Sequence, residues 1–211
     1  MRRVAIALVT TGLLFVGTGG LASDESGGLT IYESTEFWLA DARFETNRRE
    51  HVGDADHLGL VVGLRSGEEY WVEGTFLTGE RIYPFAGDAP YVRDATGAFG
   101  WIGETIDVGI GVQWQSHTYC SYTMPAWGPL GVVRFHRLLG DRSVSACATV
   151  SLAPVCFGDA ITQLEYVQVQ AGLAHFGSGW SLEIGYRWRL YYNFSTHLNL
   201  RGIVLRLGIN H

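Results

Sequence analysis

Apolar and polar residues alternate strictly along the segment from Trp180 to Tyr192. Every second residue there is apolar or aromatic, and charged residues such as Glu183 and Arg187 lie between them. A helix with a period of 3.6 residues would scatter these charges among the aromatic rings, so the pattern predicts a β-strand with one apolar and one polar face. The segment is long enough to cross a bilayer, and we expect Trp180 and Tyr192 to mark the two water interfaces.

The same alternation recurs along the chain and predicts nine further strands. By residue number, they are 30–45, 57–66, 70–79, 92–102, 105–116, 130–139, 143–152, 161–176 and 197–211. Alternating long and short connections indicate an up-and-down antiparallel barrel, with tight turns at one end and longer loops, including 47–56 and 117–129, at the other. Strands 92–102 and 130–139 are weakly patterned, so eight strands remain an alternative, but ten are favoured. Trp114 is a third predicted interface aromatic.

The polar faces of the predicted strands carry glycine together with charged residues and glutamine. This mixture suits a narrow polar lumen, so the chain is interpreted as an all-β transmembrane barrel with its apolar faces toward lipid. The alternative is a soluble exported barrel of the lipocalin type, with the apolar faces inward. Side chains fill barrels of about this size, which favours an internal ion-pair network over an open pore. Its predicted members are Asp41, Arg43, Arg65, Glu73, Asp107, Glu183, Arg187, Arg189 and Arg206.

The first 22 residues have the order of a secretory signal peptide. Arg2 and Arg3 precede an apolar run that ends in small residues up to Ala22. We therefore expect a single barrel domain over residues 23–211, located in the outer membrane of a Gram-negative cell. Its expected partners are outer-membrane lipid and the outer-membrane assembly machinery, and the barrel is expected to be a monomer.

Basic residues in the chain are all arginine, and no basic run exceeds two residues. Nucleic acid is therefore not an expected partner. Arg48, Arg49, Arg93 and Arg201 are predicted near the outer rim, where they suit the phosphates of lipopolysaccharide. Ordinary solvated charges are the alternative interpretation of these four residues.

Three cysteines permit at most one internal disulfide after export. The predicted topology places Cys120 and Cys156 in loops on the same side, which favours that pair over Cys147 with Cys156. Neither the cysteine nor the histidine spacing matches a zinc signature. No metal and no other cofactor is therefore predicted.

The last two predicted strands contain the segments LEIGYRW, residues 182–188, and VLRLGI, residues 204–209. These segments resemble the C-terminal strands of small outer-membrane β-barrel proteins of the opacity-protein type. The resemblance implies a small porin-like barrel, in a family that includes adhesins and structural barrels. Two features depart from the family: its members commonly have eight strands, and their last residue is commonly aromatic, where this chain has His211.

Three classes of function are compatible with these patterns. The favoured one is a non-enzymatic outer-membrane barrel with a side-chain-filled lumen and a structural or surface-interaction role. The second is an outer-membrane hydrolase of lipid or peptide, for which His51, Asp54, Asp56, His57 and His117 supply acid–base groups near the external mouth. The third is the soluble lipocalin-like barrel, which would bind a ligand in an apolar cavity.

Overall fold

A computed structural model describes most of the chain from residue 29 to residue 210. The described ranges are 29–46, 50–66, 69–82, 91–119, 122–139, 144–158, 165–193 and 196–210. The predicted signal peptide, residues 1–22, lies outside them, as do Cys120, Arg48 and Arg49.

The described residues form a single antiparallel sheet that closes on itself. Its strands are β1 (Leu29–Thr46), β2 (Glu50–Ser66), β3 (Tyr70–Ile82), β4 (Tyr91–Trp101), β5 (Ile106–Tyr119), β6 (Tyr122–Leu139), β7 (Val144–Ala153), β8 (Phe157–Gly158), β9 (Glu165–Phe176), β10 (Trp180–Asn193) and β11 (Thr196–Asn210). Each long strand pairs with its neighbours in the sequence, and β1 pairs with β11 to complete the ring. The prediction of a ten-stranded antiparallel barrel is confirmed.

The two-residue strand β8 continues β7 along the same partner, β6. Gly131 lies opposite Leu152, whereas Trp127 lies opposite Phe157. An advance of four residues along β6 therefore corresponds to an advance of five residues along the segment from β7 to β8. One extra residue of this kind is a β-bulge, which bends the wall without adding a strand.

Several strands run farther toward one end of the barrel than the sequence predicts. The predicted loops 47–56 and 117–129 are largely strand, because β2 begins at Glu50 and β6 begins at Tyr122. Polar residues in these stretches suggested loops, but their backbone is paired with the neighbouring strand, as in the opposed residues Asp41 and Asp54. The two prolines of β6 are tolerated because, among the described residues, this stretch pairs fully with β5 but only through β8 on its other side.

The outward face of the barrel carries a continuous set of exposed apolar side chains, which we call the lipid-facing belt. Its members include Leu39, Leu60, Val72, Phe76, Phe99, Ile106, Val108, Ile110, Val112, Leu173, Ile184, Tyr186, Ile203 and Leu207. An apolar exterior is the reverse of a lipocalin and is the arrangement of transmembrane barrels. Within the described residues no helix has the length and apolar character needed to span a membrane.

Beyond the belt, the outward face of β1, β2 and β11 becomes charged. We call this the polar band; it contains Asp41, Arg43, Glu50, Asp54, Asp56 and Arg201. The two longest connections, 83–90 and 159–164, lie at the same end, which is therefore the outer end by the rule of short periplasmic turns. The opposite, periplasmic end carries short turns together with Leu29 and Asn210.

Replacing Ile110 by arginine should destabilise the protein in lipid far more than replacing Val52 by arginine. Ile110 is 65 % exposed in the belt, and Val52 is 60 % exposed beside the polar band. A midplane arginine costs about 2–4 kcal/mol and an interfacial one about 0–1 kcal/mol. Denaturant unfolding of Ile110→Arg and Val52→Arg in lipid vesicles measures the difference, and equal losses would contradict the placement of the belt.

Candidate functional site in the barrel lumen

The inward face of β10 supplies the central charges of the lumen. Glu183, Arg187 and Arg189 alternate with lipid-facing residues, so all three point inward, as the strand period requires. Arg187 is 3 % exposed and Arg189 is 5 % exposed. Charges this deeply buried require partners, and each arginine has them at its own level of the barrel.

Toward the outer end, Arg189 forms an ion pair with Asp94 that we call the cross-lumen bridge. Arg189 Nη1 lies 2.5 Å from Asp94 Oδ2, and the hydroxyl of Tyr191 donates to the same oxygen at 2.7 Å. Gln168 accepts from Arg189 Nε at 2.9 Å. In the closed ring of ten strands, β4 and β10 are five positions apart in either direction, so the bridge joins opposite walls.

Aromatic rings enclose the cross-lumen bridge. The guanidinium of Arg189 lies 5.0 Å from the ring centroid of Trp38 and 5.4 Å from that of Tyr166. Trp38, Tyr166 and Tyr191 are each at most 1 % exposed. Cation–π attraction strengthens when water is excluded, so the rings stabilise the buried guanidinium.

A second ion pair lies below the bridge, between Arg187 and Glu36. Both terminal nitrogens of Arg187 donate to the two oxygens of Glu36, and Nε of Arg187 donates to Gln170 at 2.8 Å. Arg206 adds a bond to Glu36 at 2.9 Å. The two-pronged geometry suits a guanidinium and a carboxylate, so Glu36 is the acceptor on which two arginines converge.

Near the periplasmic end the interior is charged but less tightly filled. Glu73 accepts from Arg134 at 2.6 Å and from the hydroxyl of Tyr32 at 2.9 Å. Arg206 lies 3.3 Å from Glu183. A cavity of about 400 Å³ lies in this part of the lumen. A second cavity, of about 460 Å³, adjoins it and extends past Glu36 and Arg187 to Arg189, at the level of the cross-lumen bridge.

Seven of the nine residues predicted for the lumen network face the interior. They are Arg65, Glu73, Asp107, Glu183, Arg187, Arg189 and Arg206. Asp41 and Arg43 are instead exposed on the outer surface, where Arg43 lies 3.1 Å from Glu50. The even-numbered residues of β1 point inward, as the burial of Trp38 shows. In the polar band an outward position can be charged because it lies beyond the hydrocarbon.

Three central members of the network were missed by the sequence interpretation. Glu36 shares the inward face of β1 with Trp38, opposite to the face of Asp41 and Arg43 that the sequence predicts to point inward. Asp94 lies on the weakly patterned strand β4, and Arg134 lies on the other weak strand, β6. The available signal was the set of small residues on the same face of β4 as Asp94, at every second position. Small residues of this kind are typical of a face packed against bulky side chains.

The described side chains among the acid–base residues considered for a hydrolase do not converge. Asp54 and Asp56 are exposed on the outward face of β2, whereas His57 points inward, is 4 % exposed and stacks on Trp38 at 4.8 Å. Adjacent residues of a strand face opposite sides, so this motif divides across the wall. The side chains of His51 and His117 lie outside the described part of the structure. Among the residues that the structure describes, no group of three or more possible metal ligands occurs.

Cys147 and Cys156 are both free thiols in the structure. Cys120, the predicted partner of Cys156, lies outside the described residues, so this disulfide stays a prediction. Cys156 is fully buried at the bulge, beside Gly128.

The predicted interface aromatics all lie on the outward face. Trp180 and Tyr192 are near opposite ends of β10, and Trp180 is 45 % exposed at the periplasmic turn. Trp114 lies toward the outer end of β5, directly opposite Trp127 on β6. Tyr192 stacks edge-on with His197 at 4.5 Å.

A closed strand ladder, an apolar exterior and a charged interior define the class: the chain is an outer-membrane β-barrel. Its fold is similar to that of the outer membrane protease OmpT from Escherichia coli, with a TM-score of 0.54, 8 % identity, and coverage of 92 % of this chain and 99 % of that one. At this identity the likeness concerns the fold alone.

Two further solved structures are similar at lower scores. The β domain of the Bordetella autotransporter BrkA gives a TM-score of 0.47 at 11 % identity, covering 87 % of this chain and 99 % of that one. Ail of Yersinia pestis gives 0.37 at 12 % identity, covering 85 % and 98 %. No protein-family model matches the chain, and no curated protein matches it in sequence.

Removing the carboxylate of the cross-lumen bridge should cost far more stability than removing an exposed one. Asp94→Ala strands a buried arginine, for which the expected loss is about 3–5 kcal/mol. The control is Glu50→Ala, which breaks the half-exposed pair with Arg43 and should cost less than about 1 kcal/mol. Replacing Arg189 by methionine in the Asp94→Ala variant should recover part of the loss.

These three variants are compared by denaturant unfolding in the same lipid or detergent. A loss for Asp94→Ala no larger than that for Glu50→Ala would contradict the burial and pairing of the bridge.

Proposed function

We propose that this chain is a non-enzymatic outer-membrane barrel whose interior is blocked by side chains, with a structural or surface-interaction role at the outer end. The observation that carries the proposal is the cross-lumen bridge. Asp94 and Arg189 come from opposite walls and are flanked by aromatic rings, which supports a lumen that is closed to solutes at this level.

A second pair below the bridge supports the same function. Glu36 and Arg187 are each at most 3 % exposed and lie beside the bridge on the periplasmic side. A solute that followed the cavity beside this pair would still have to break the cross-lumen bridge, and breaking a buried pair is strongly unfavourable.

The polar band supports a role in surface contacts. Arg43 and Arg201 are exposed on the outward face just beyond the belt, and Arg93 is exposed on β4. At this height the outward face meets lipid headgroups, so the phosphates of lipopolysaccharide are the partner chemistry that these arginines suit. Asp41 and Asp54 lie among them, so the band offers both signs of charge.

The purified protein, reconstituted in a planar lipid bilayer, should show no stable stepwise conductance. A porin of 16–18 strands, which has a water-filled lumen, serves as the positive control for insertion and recording. Removal of both layers in the combined variant Glu36→Ala, Asp94→Ala, Arg187→Ala, Arg189→Ala should raise the ion flux. Reproducible single-channel steps from the unmodified protein would contradict a blocked lumen.

A further inference from the structure

The cavity of about 460 Å³, here called the lumen slot, leads from the periplasmic mouth to the level of the cross-lumen bridge. Leu138 and Phe176, 55 % and 48 % exposed near the ends of β6 and β9, line its entrance. Along β7 its lining runs from Ser145 to Ser151, which corresponds to about 20 Å of strand. Small-molecule sites commonly have volumes of about 300–1,000 Å³, so the slot has room for a ligand.

The charged groups at the inner end of the slot are already paired. Arg187 lies against Glu36, and Arg189 lies against Asp94. The remaining carboxylates of the slot, Glu73, Asp107 and Glu183, also have donors from the protein. A charged ligand at the inner end would have to displace these contacts or bury its own charge without a partner, which is strongly unfavourable.

Neutral hydroxyls beside these ion pairs are not engaged. Thr149 and Ser151 share the inward face of β7, and both line the slot. Their hydroxyls form no hydrogen bond with the described residues, although Ser151 is only 7 % exposed. Neither hydroxyl is among the described polar atoms that are sealed off without a partner, such as Nε1 of Trp38. The two hydroxyls are therefore open to the slot.

Gln168 adds an amide donor next to these hydroxyls, because it is paired with Ser151 across the ladder of β7 and β9. Its side-chain oxygen accepts from Nε of Arg189 at 2.9 Å and from the hydroxyl of Tyr166 at 3.0 Å. These contacts orient the amide and leave its NH₂ group without a partner among the described residues. The inner end thus presents an amide donor and two hydroxyls, which can both donate and accept.

An apolar surface adjoins the neutral polar groups. Val132 is paired with Ser151 across the ladder of β6 and β7, and Leu130 follows on the same inward face of β6. Leu77 lines the slot from β3, which is five positions from β9 in the ring of ten strands. A pocket with an apolar wall and a few neutral hydrogen-bonding groups favours a neutral ligand that carries both hydroxyl and C–H groups.

We propose that the lumen slot binds a neutral sugar or polyol of monosaccharide size that enters from the periplasm. Its hydroxyls bond to Thr149, Ser151 and the NH₂ group of Gln168, and its C–H groups pack against Val132 and Leu130. Both ion pairs stay intact, because none of the atoms used by the ligand holds them. The site goes beyond the blocked-barrel function and does not depend on the role of the outer end.

The test uses the full-length protein in a detergent without sugar headgroups and methyl β-D-glucopyranoside as the probe, with binding followed by saturation-transfer difference NMR. Saturable binding is expected. Glucuronate and glucosamine carry charges of opposite sign, and each should bind at least about tenfold more weakly because the inner end offers no free counter-charge. Glucuronate also shows whether Arg65, which is exposed at the mouth, attracts an anion instead.

Two variants each remove one hydroxyl without touching an ion pair. Ser151→Ala and Thr149→Val should each weaken binding of the glucoside by about two- to tenfold, the effect of one neutral hydrogen bond. The matched control is Ser145→Ala, on the same face of β7. The hydroxyl of Ser145 is used by the protein itself, since it donates to the carbonyl oxygens of Arg137 and Ala146 at 3.2 Å. This variant should therefore bind the glucoside like the unmodified protein.

Three results would overturn the proposal: no saturable binding of the glucoside, binding of either charged analogue as tight as that of the glucoside, or unchanged binding in the folded variants of Ser151 and Thr149. Faster migration of the unboiled protein in SDS gels identifies the folded variants. Bilayer conductance is recorded on the same preparations without sugar. An open channel there would refute the blocked barrel and leave the sugar site to be judged by the NMR titration.

Discussion

The ion pair between Asp94 and Arg189 joins walls of the barrel that lie five strands apart. Arg189 Nη1 is 2.5 Å from Asp94 Oδ2. A guanidinium held away from water is tolerated only if its donors are satisfied, and here Asp94, Gln168 and Tyr191 supply the acceptors. The aromatic rings around this guanidinium also help to hold it away from water. A narrow barrel with an apolar exterior must place its polar residues inside, and those residues must then pair with one another.

The lumen changes character along its axis. At the level of the bridge, aromatic and charged side chains from opposite walls meet, and at the next level Glu36 pairs with Arg187. A cavity of about 460 Å³ runs alongside both ion pairs, and another of about 400 Å³ lies near the periplasmic end.

Local periodicity was sufficient to predict the architecture. The alternation in β10 correctly separated the lipid-facing Ile184 and Tyr186 from the inward Arg187 and Arg189, and the ten-stranded barrel is confirmed. The errors arose where the polar face of a strand lies beyond the membrane: Asp41 and Arg43 are charged yet outward. The pairing of residues within the network could not be predicted either. Asp94 and Arg189 are 95 residues apart in the sequence, and no local pattern encodes which walls of the barrel face each other.

The central claim is that the apolar faces of these strands meet lipid and close into one stable barrel. Fractionation of cells that express the full-length protein, followed by gel electrophoresis in SDS with and without boiling, tests it most directly. The structure predicts a protein in the outer-membrane fraction that migrates faster unheated, because the closed barrel resists the detergent. A soluble periplasmic protein with the same mobility in both samples would contradict the assignment.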